Sequence, residues 1–456
     1  KGRDGKWYTA IAIDACGAKD TSDTGCLGGG FEELWSSDKL HGRGANWTTA
    51  GVSLLTTNQT SAGSFVPQHT EFVTPDYFWP PKRKEAKKNN HNNNNNNSEE
   101  SELGAEKSVL LTSVYGPVPC CGAPRYWNYA QYLVGIQPLP TEGLNVQWNR
   151  SHPVDWGAFH SPHSPVKHFN RTDGTGLTVA ADGFMICCPK TATDSNGRTV
   201  VFSNIGYMSE MQTALALPRD TWLDRAGTLR QTFVPELAAL RVLPEISDTL
   251  QLSPTVSNGT RIPGIVEIPG ILGHQMEIKA TIYLNSTADD DLGSSTEIGV
   301  AVLGDSGWAA HVAIGINISA TVEGSHVFID RRSIGNNTHL RDIRAAPLGR
   351  VAPRDEDGDE NKDDYTVDSY EFHIIVDHSI ITTIINNHTA LTVEVYPESL
   401  ASMRVGAYAI HHSTSAEHGS AARTCDEVEA CCVTMGFEGW FLQRPGDVGM
   451  DLEEIS

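Results

Sequence analysis

Acidic side chains beside aromatic residues are the candidates for chemistry in this sequence. Glu71 opens the stretch Glu71-Phe72-Val73-Thr74-Pro75-Asp76-Tyr77-Phe78, Asp76 stands in its Pro-Asp-aromatic turn, and Asp155 precedes a tryptophan further along. A glycosidic bond is commonly broken by two carboxyl groups, of which one protonates the leaving oxygen and the other attacks or activates water. The proton donor needs a raised pKa, which partial burial supplies. Glu71 is therefore a candidate general acid/base, and a surface or turn-capping role is the alternative for each acid taken singly.

Two tryptophans could assist a carbohydrate site. Trp35 and Trp156 each offer a flat ring that can stack on a sugar, and packing in the core is the alternative for both. None of the nine cysteines has the spaced Cys/His pattern of a zinc site. We expect neither a metal nor a cofactor.

The charge of the chain excludes two classes of partner. The 456 residues contain 34 Lys plus Arg against 56 Asp plus Glu, which gives a formal net charge of −22. Such a chain repels nucleic-acid phosphates and anionic lipid headgroups. No apolar run approaches the roughly 18 residues of a membrane span, and the chain opens on Lys1 without a signal-like segment. We expect no nucleic-acid or membrane partner, and a chain that is processed or truncated.

Glycosylation acceptors and cysteines indicate the secretory pathway. Ten Asn-X-Ser/Thr acceptors occur, at Asn46, Asn58, Asn96, Asn149, Asn170, Asn258, Asn285, Asn317, Asn336 and Asn387. The cysteines are compatible with disulfides, although their odd number leaves at least one without a partner in the chain. The set predicts N-glycans and an extracellular, cell-wall or vacuolar location.

Short β-like runs dominate the chain and predict an all-β fold. They are separated by Gly, Asn, Asp and Pro turns, as in propellers, sandwiches and barrels. The clearest runs are Trp7–Ile13, Val109–Val114, Tyr132–Ile136, Thr199–Phe202, Gly264–Ile268, Ala280–Leu284, Ile298–Leu303, His311–Ile318, His326–Ile329, Glu371–Val376, Ile380–Ile385 and Ala390–Tyr396. Only Pro235–Leu243 resembles a helix, and it is short.

A change in character near Arg241 predicts two domains, 1–245 and 246–456. Most tryptophans precede it, and regular alternating strands follow it. Residues 80–106 join a basic cluster, an asparagine tract and an acidic tract, which predicts a disordered surface insertion. The acidic run Asp355–Asp364 lacks the glycine and the acidic residue that an EF-hand requires at its sixth and twelfth positions, so a solvated loop is predicted there.

Several segments, in collinear order, resemble glycoside hydrolase family 32, the invertases and fructan-cleaving or fructan-building enzymes. Two are the most specific: a Leu-Pro-Arg element with a Pro-Glu-Leu-x-x-Leu-Arg segment, which is similar to the family's Pro-x-Glu-Leu-x-x-Leu-Arg exit, and a signature in the second domain. The matching segments are Glu33-Leu34-Trp35-Ser36-Ser37-Asp38, Pro75-Asp76-Tyr77-Phe78, Val154-Asp155-Trp156-Gly157, Lys190-Thr191-Ala192-Thr193-Asp194, Leu217-Pro218-Arg219, Pro235-Glu236-Leu237 with Leu240-Arg241, Asp330-Arg331-Arg332-Ser333 and Val376-Asp377-His378-Ser379. The resemblance implies an incomplete five-bladed β-propeller followed by a C-terminal β-sandwich.

The resemblance also implies a retaining mechanism, with an Asp nucleophile, an Arg-Asp-Pro stabiliser and a Glu acid/base. No Asn-Asp-Pro-Asn nucleophile motif exists in the chain, and we expect it upstream of Lys1. Direct alignment of Pro75-Asp76 places Val73 at the acid/base position, so Glu71 fits only if two extra residues are accommodated, for instance as a bulge. By the same analogy Asp155 orients the acid/base and contacts substrate hydroxyls, while a loop cap is its alternative.

Three functions follow from these observations. The first is a β-fructofuranosidase-like glycosidase that cleaves sucrose or fructans, with Glu71 as acid/base and Asp155, Asp76, Trp35 and Trp156 at the substrate. The second is a non-catalytic carbohydrate-binding or structural relative, which Val73 favours. The third is a fructosyltransferase, which hands the fructosyl group to a sugar in place of water.

Overall fold

The computed structural model of the chain consists almost entirely of β-strands. It describes residues 6–14, 30–41, 45–56, 71–78, 107–118, 125–136, 147–157, 159–160, 178–179, 185–206, 213–224, 228–256, 264–284, 295–319, 325–335, 341–348, 369–399, 403–412 and 433–442. No helix among these residues is long and apolar enough to span a bilayer. The predicted insertion at 80–106 and the acidic run at 355–364 lie outside the described residues.

The chain divides into two compact units. Unit 1 comprises Lys1–Ala158 and Ala181–Val234, and unit 2 comprises Phe159–Ala180 and Pro235–Ser456. The main division therefore lies between Val234 and Pro235, a few residues before the predicted position near 245. A short 3₁₀ helix, Pro235–Leu240, opens the second segment of unit 2 where the sequence predicted a short helix.

The described residues of unit 1 form three antiparallel sheets, each built from strands that follow one another along the chain. The first sheet contains β1 (Trp7–Asp14), β2 (Gly30–Ser37) and β3 (Thr48–Thr56). The second contains β4 (Glu71–Phe78), β5 (Lys107–Val118), β6 (Arg125–Ile136) and β7 (Gln147–Pro153). The third contains β10 (Met185–Thr193), β11 (Thr199–Gly206), β12 (Thr213–Leu215), β13 (Arg219–Leu223) and β14 (Leu229–Phe233). Sheets built from consecutive antiparallel strands, typically four to a blade, are the units of a β-propeller.

Hydrophobic patterning explains these strands. Val109, Leu110 and Leu111 of β5 are completely buried, which fits a strand in the middle of its sheet. In β11, buried Val201 is followed by Phe202, which is 49% exposed, so successive side chains there alternate between inside and outside. The order of apolar residues thus distinguishes a strand buried on both faces, such as β5, from a strand with one exposed face, such as β11.

Unit 2 contains two large sheets. The six-stranded sheet has the order β15 (Arg241–Leu252), β27 (Val433–Leu442), β18 (Gln275–Leu284), β23 (Ser369–Asp377), β24 (Ile380–Ile385) and β25 (Thr389–Glu394). The nine-stranded sheet has the order β16 (Thr255–Val256), β26 (Arg404–His412), β19 (Ser295–Gly304), β20 (Val312–Ser319), β21 (His326–Asp330), β22 (Ile343–Pro347), β8 (Phe159–His160) and β9 (Thr178–Val179), with β17 (Val266–Leu272) also on β26. Two sheets of mainly antiparallel strands form a β-sandwich.

Two glycines allow close packing in the nine-stranded sheet. Gly299 of β19 lies opposite Gly315 of β20, and Tyr408 of β26 lies on the other side of Gly299. A Cβ atom at Gly315 would lie 2.7 Å from the carbonyl oxygen of Ile298 and 2.7 Å from the Tyr408 hydroxyl. The space above these glycines is therefore filled by neighbouring backbone and by the aromatic ring of Tyr408, which is completely buried.

Candidate functional site

The backbone of the candidate acid/base lies in β4. Val73 pairs with Ser113 of β5, and Asp76 pairs with Leu111, so β4 gains one residue on β5 between these two pairs. This is a β-bulge at Thr74 and Pro75, and a bulge is one of the few places where a strand accommodates a proline. For Glu71 to take the acid/base position, the resemblance requires two extra residues in this strand, and the bulge accommodates one. The side chains of Glu71 and Asp76 lie outside the described part of the structure.

Asp155 follows the last strand of the same sheet. The Val154 amide donates a 2.8 Å hydrogen bond to the carbonyl oxygen of Ala130 in β6. Ala130 pairs with Ser113, which pairs in turn with Val73. Asp155 therefore comes directly after a residue that is bonded to the row of paired residues containing Val73 of β4. The sheet order β4-β5-β6-β7 separates their backbones by three strand spacings, roughly 14 Å.

A buried ion pair holds the Asp155 carboxylate. Arg219 Nη2 donates a 2.6 Å hydrogen bond to Asp155 Oδ2, and the Gly157 amide donates a 2.8 Å hydrogen bond to Asp155 Oδ1. Both side chains of the pair are almost entirely buried. A charge-assisted contact of this kind is shorter and stronger than one between neutral groups. These two hydrogen bonds, one to each oxygen, fix the position of the carboxylate.

Gln231 completes the network. Arg219 Nη1 donates to Gln231 Oε1 at 3.0 Å, and Gln231 Nε2 donates to the carbonyl oxygen of Val154 at 2.9 Å. In the β13 and β14 pair, Arg219 lies opposite Phe233 and Thr221 lies opposite Gln231. Since side chains two residues apart share a face of a sheet, the register brings Arg219 and Gln231 to the same face. Two strands of the third sheet thereby position the carboxylate of Asp155.

The two tryptophans differ in exposure. Trp156 is buried, with 7% of its surface exposed, so packing accounts for its position. Trp35 lies in β2 between Thr9 and Thr49 and is partly exposed. Its indole Nε1 is buried and has no hydrogen-bond partner in the described part of the chain. Sugar stacking stays a prediction for both residues.

Unit 2 contains a carboxylate with a strongly lowered pKa. Arg241 donates two hydrogen bonds to Glu277, from Nε to Oε2 at 2.7 Å and from Nη2 to Oε1 at 2.6 Å, and His373 Nε2 lies 2.7 Å from Oε1. Burial alone would raise the pKa of Glu277, but the hydrogen bonds from Arg241 and His373 lower it to about 2. The Arg241 guanidinium also stacks 3.8 Å above the Trp440 ring. A carboxylate held ionised in this way stabilises the sheet and makes a poor proton donor.

A second buried cluster in unit 2 joins two arginines to one carboxylate. Arg331 Nε and Arg344 Nε each donate a 2.8 Å hydrogen bond to Asp342, one to each carboxylate oxygen. All three side chains are at most 1% exposed. In the described ranges, no three histidine, cysteine, aspartate or glutamate side chains group together as metal ligands. Asp155, which pairs with Arg219, follows the last strand of the sheet that contains the predicted catalytic strand β4.

The sequence singled out Asp155 and the Leu-Pro-Arg element separately, by resemblance. It missed their ion pair and the part played by Gln231, because no local pattern indicates a contact across 64 residues. The polar residue Gln231 within the alternating strand Leu229–Phe233 was the available signal, since it occupies an inward position.

Comparison with known proteins identifies related folds. Residues 236–422 match the sequence model described as glycosyl hydrolases family 32 C terminal. No curated protein sequence matches the chain.

Three solved structures resemble the whole fold. Fructan 1-exohydrolase IIa from Cichorium intybus in complex with 1-kestose gives a TM-score of 0.57 at 15% identity, covering 97% of this chain and 70% of that chain. Fructosyltransferase from A. japonicus gives 0.60 at 12% identity, covering 97% and 67%. Aspergillus kawachii beta-fructofuranosidase gives 0.57 at 12% identity, covering 95% and 67%. The predicted all-β fold, an incomplete propeller followed by a sandwich, is confirmed.

Proposed function

Because residues 236–422 belong to glycoside hydrolase family 32, as the sequence resemblance predicted, we propose that the chain is part of an enzyme that processes fructose-containing carbohydrates. The family match in unit 2 is the observation that carries the proposal. The blade-like sheets of unit 1 support it, because they supply the scaffold on which a site of this kind is built.

In the proposed mechanism Glu71 is the general acid/base. Its carboxyl group protonates the glycosidic oxygen of the leaving sugar and afterwards takes a proton from the attacking water. The bulge at Thr74 and Pro75 sets the register of the strand that carries Glu71. The covalent step requires a nucleophilic carboxylate, and residues 1–456 contain no Asn-Asp-Pro-Asn motif to provide one.

Asp155 has a positioning role in this proposal. Its backbone lies roughly 14 Å from that of β4, which favours contact with Glu71 through a bound sugar over a direct hydrogen bond. Asp155 would accept hydrogen bonds from substrate hydroxyl groups, with Asp76 and Trp35 as further contacts.

Sucrose or a fructan is the proposed substrate class. The chicory enzyme whose fold is similar was solved with 1-kestose, and the other similar folds are a fructosyltransferase and a beta-fructofuranosidase. Hydrolysis and transfer use the same carboxylates and differ in whether water or a sugar accepts the fructosyl group. We propose hydrolysis, with transfer as its alternative.

One observation favours a second function, a non-catalytic carbohydrate-binding or structural relative. Asp155 is 3% exposed and ion-paired, and Trp156 is 7% exposed, so both have a sufficient structural role without substrate. Val73, at the position aligned with the acid/base, also favours the non-catalytic function.

Assays with sucrose and with 1-kestose separate these functions. We expect residues 1–456 alone to release no fructose above the blank, because they lack the nucleophile motif. The polypeptide isolated from its natural source should release fructose from at least one of the two sugars. No release from that polypeptide, together with measurable binding of 1-kestose by calorimetry, would support the non-catalytic function instead.

The secretory pathway remains part of the proposal. It is supported by the ten acceptor sequences, of which Asn46 is exposed in the structure. Enzymatic deglycosylation of the natural protein should lower its mass and convert the occupied asparagines to aspartates. An unchanged mass would contradict N-glycosylation.

A further inference from the structure

Two adjacent thiols stand at an irregular point of the third sheet. Cys187 and Cys188 lie in β10, and neither forms a disulfide. Cys187 pairs with Asn204 and Lys190 pairs with Phe202, so β10 carries one extra residue at this point. Cys188 has a φ of 54°, in the left-handed region that non-glycine residues seldom occupy. The bulge therefore holds the two cysteines in a conformation set by their surroundings.

A contact between sheets holds this bulge in place. The Cys188 amide donates a 2.7 Å hydrogen bond to Ser113 Oγ in β5. Ser113 is completely buried and lies directly opposite Val73 of the candidate acid/base strand. A change in the backbone at Cys188 would therefore disturb Ser113, which pairs with β4.

The two thiols differ in reactivity. Cys187 is buried, with 8% of its surface exposed, whereas Cys188 is partly exposed. A hydrogen bond with Cys188 and burial both raise the pKa of the Cys187 thiol above its usual value. Because the thiolate is the reactive form, Cys188 is the thiol that meets an external reagent, and Cys187 is the thiol within reach of it.

We propose that Cys187 and Cys188 form an oxidation site that closes to a disulfide between neighbouring residues when a small-molecule disulfide reacts with Cys188. The Cys188 thiolate attacks one sulfur of the reagent, a mixed disulfide forms, and one molecule of small thiol leaves. The Cys187 sulfur then attacks Cys188 Sγ, and its proton passes to solvent during the attack. The Sγ–Sγ bond forms, the second small thiol leaves, and the protein has lost two electrons and two protons to the reagent.

The product should be readily reversible. Neighbouring Cα atoms are about 3.8 Å apart across a trans peptide, whereas disulfides usually join Cα atoms about 4.4–6.8 Å apart. A disulfide forced below that range is easier to reduce than a structural one, and labile bonds of this kind are the regulatory ones. Ring closure also has to change the bulge, which should weaken the hydrogen bond from Cys188 to Ser113.

Peptide mass analysis after alkylation tests the proposal. The tryptic peptide Thr172–Lys190 contains Cys187 and Cys188 and no other cysteine. In the natural full-length protein treated with oxidised glutathione, the peptide should lose two hydrogen atoms and both alkylation sites. Treatment with dithiothreitol should restore both sites. Two alkylatable thiols after oxidation, or a stable glutathione adduct in the unsubstituted protein, would overturn the proposal.

Two single variants check the order of the steps. Cys187→Ser should stop at a stable glutathione adduct on Cys188, because the second thiol is missing. Cys188→Ser should show little adduct on buried Cys187. Equal adduct formation in both variants would contradict Cys188 as the entry thiol. Exchange of the Cys188 amide with deuterium should accelerate on oxidation, and an unchanged rate would rule out an effect on the Ser113 contact.

Discussion

Asp155 and Arg219, 64 residues apart in the sequence, form a buried ion pair with 2.6 Å between Oδ2 and Nη2. The pair joins the end of the sheet that carries β4 to the first residue of β13. Removing one partner of such a pair leaves a buried charge without compensation, which costs more than the pair itself contributes. Its effect on stability can therefore be measured apart from any effect on catalysis.

Asp155→Asn should lower the free energy of unfolding by about 3–5 kcal/mol, because the Arg219 guanidinium would be left buried and unpaired. The double variant Asp155→Asn with Arg219→Met should lose less than the sum of the two single variants. Denaturant melts of the four proteins give this comparison. Asp194→Asn is the matched control: it removes a partly exposed ion pair with Arg198 in the same unit and should cost much less stability. Additive losses would show that the two residues are not coupled.

Glu277 should make unit 2 sensitive to acid. Its pKa is about 2 in the folded protein against 4.5 as its ordinary value. A carboxyl group with a lowered pKa stabilises the fold at pH values above its unfolded pKa, and this contribution is lost as the pH falls through the folded pKa. The shift corresponds to roughly 3 kcal/mol. The stability difference between the unsubstituted protein and Glu277→Gln should be constant above pH 5 and shrink steadily from about pH 4.5 towards pH 2. A difference that does not change over this range would contradict the assignment.

Gly299 and Gly436 should respond in opposite ways to alanine. A Cβ atom at Gly299 would overlap the carbonyl oxygen of Ile314, whereas a Cβ atom at Gly436 meets nothing within 4 Å. Gly299→Ala should therefore destabilise unit 2 by about 1–3 kcal/mol or more. Gly436→Ala should leave the melting temperature unchanged or raise the stability by up to about 1 kcal/mol, because alanine restricts the unfolded chain. Thermal melts compare the two, and equal losses would show that the packing around Gly299 is looser than described.

Glu71→Gln should lower the turnover of the active natural protein by about 10²–10⁴-fold, which is the usual contribution of a general acid/base. The amide can neither donate nor accept the proton in transfer. Glu245→Gln, which replaces an exposed glutamate in β15, is the control and should keep full turnover. Full turnover in both variants would show that the acid/base is a different residue.

Much of the fold follows from local pattern. Ile380–Ile385 was predicted as a strand with the bounds that β24 has in the structure, because its β-branched residues lie between clear turns. Two strands that contain proline or several glycines were not among the clearest predicted runs. β4 contains Pro75 in its bulge, and β27 contains Gly436 and Gly439. Both residue types weaken the period-two signal, and only pairing with neighbouring strands makes these segments extended.

The candidate site was predictable in parts. Glu71 and Asp155 were recognisable by type and by resemblance, but the bulge that sets the register of β4 depends on pairing with β5. The fixed carboxylate of Asp155 depends on Arg219 and Gln231 from another sheet. Contacts between distant segments are set by the packing of whole sheets, which no window of sequence contains.

The path of the chain between Phe159 and Ala180 has a practical consequence for dissecting the protein. This segment belongs to unit 2 although it lies within the sequence of unit 1. Its strand β8 pairs with β22, where Arg344 lies opposite His160, and the Phe159 side chain is 1% exposed. A fragment that starts at Pro235 would lack β8 and β9 and leave the border of β22 open to pairing with other molecules. Neither unit is a continuous piece of the gene, so proteolytic cleavage before Pro235 should yield two fragments that stay associated until they are denatured.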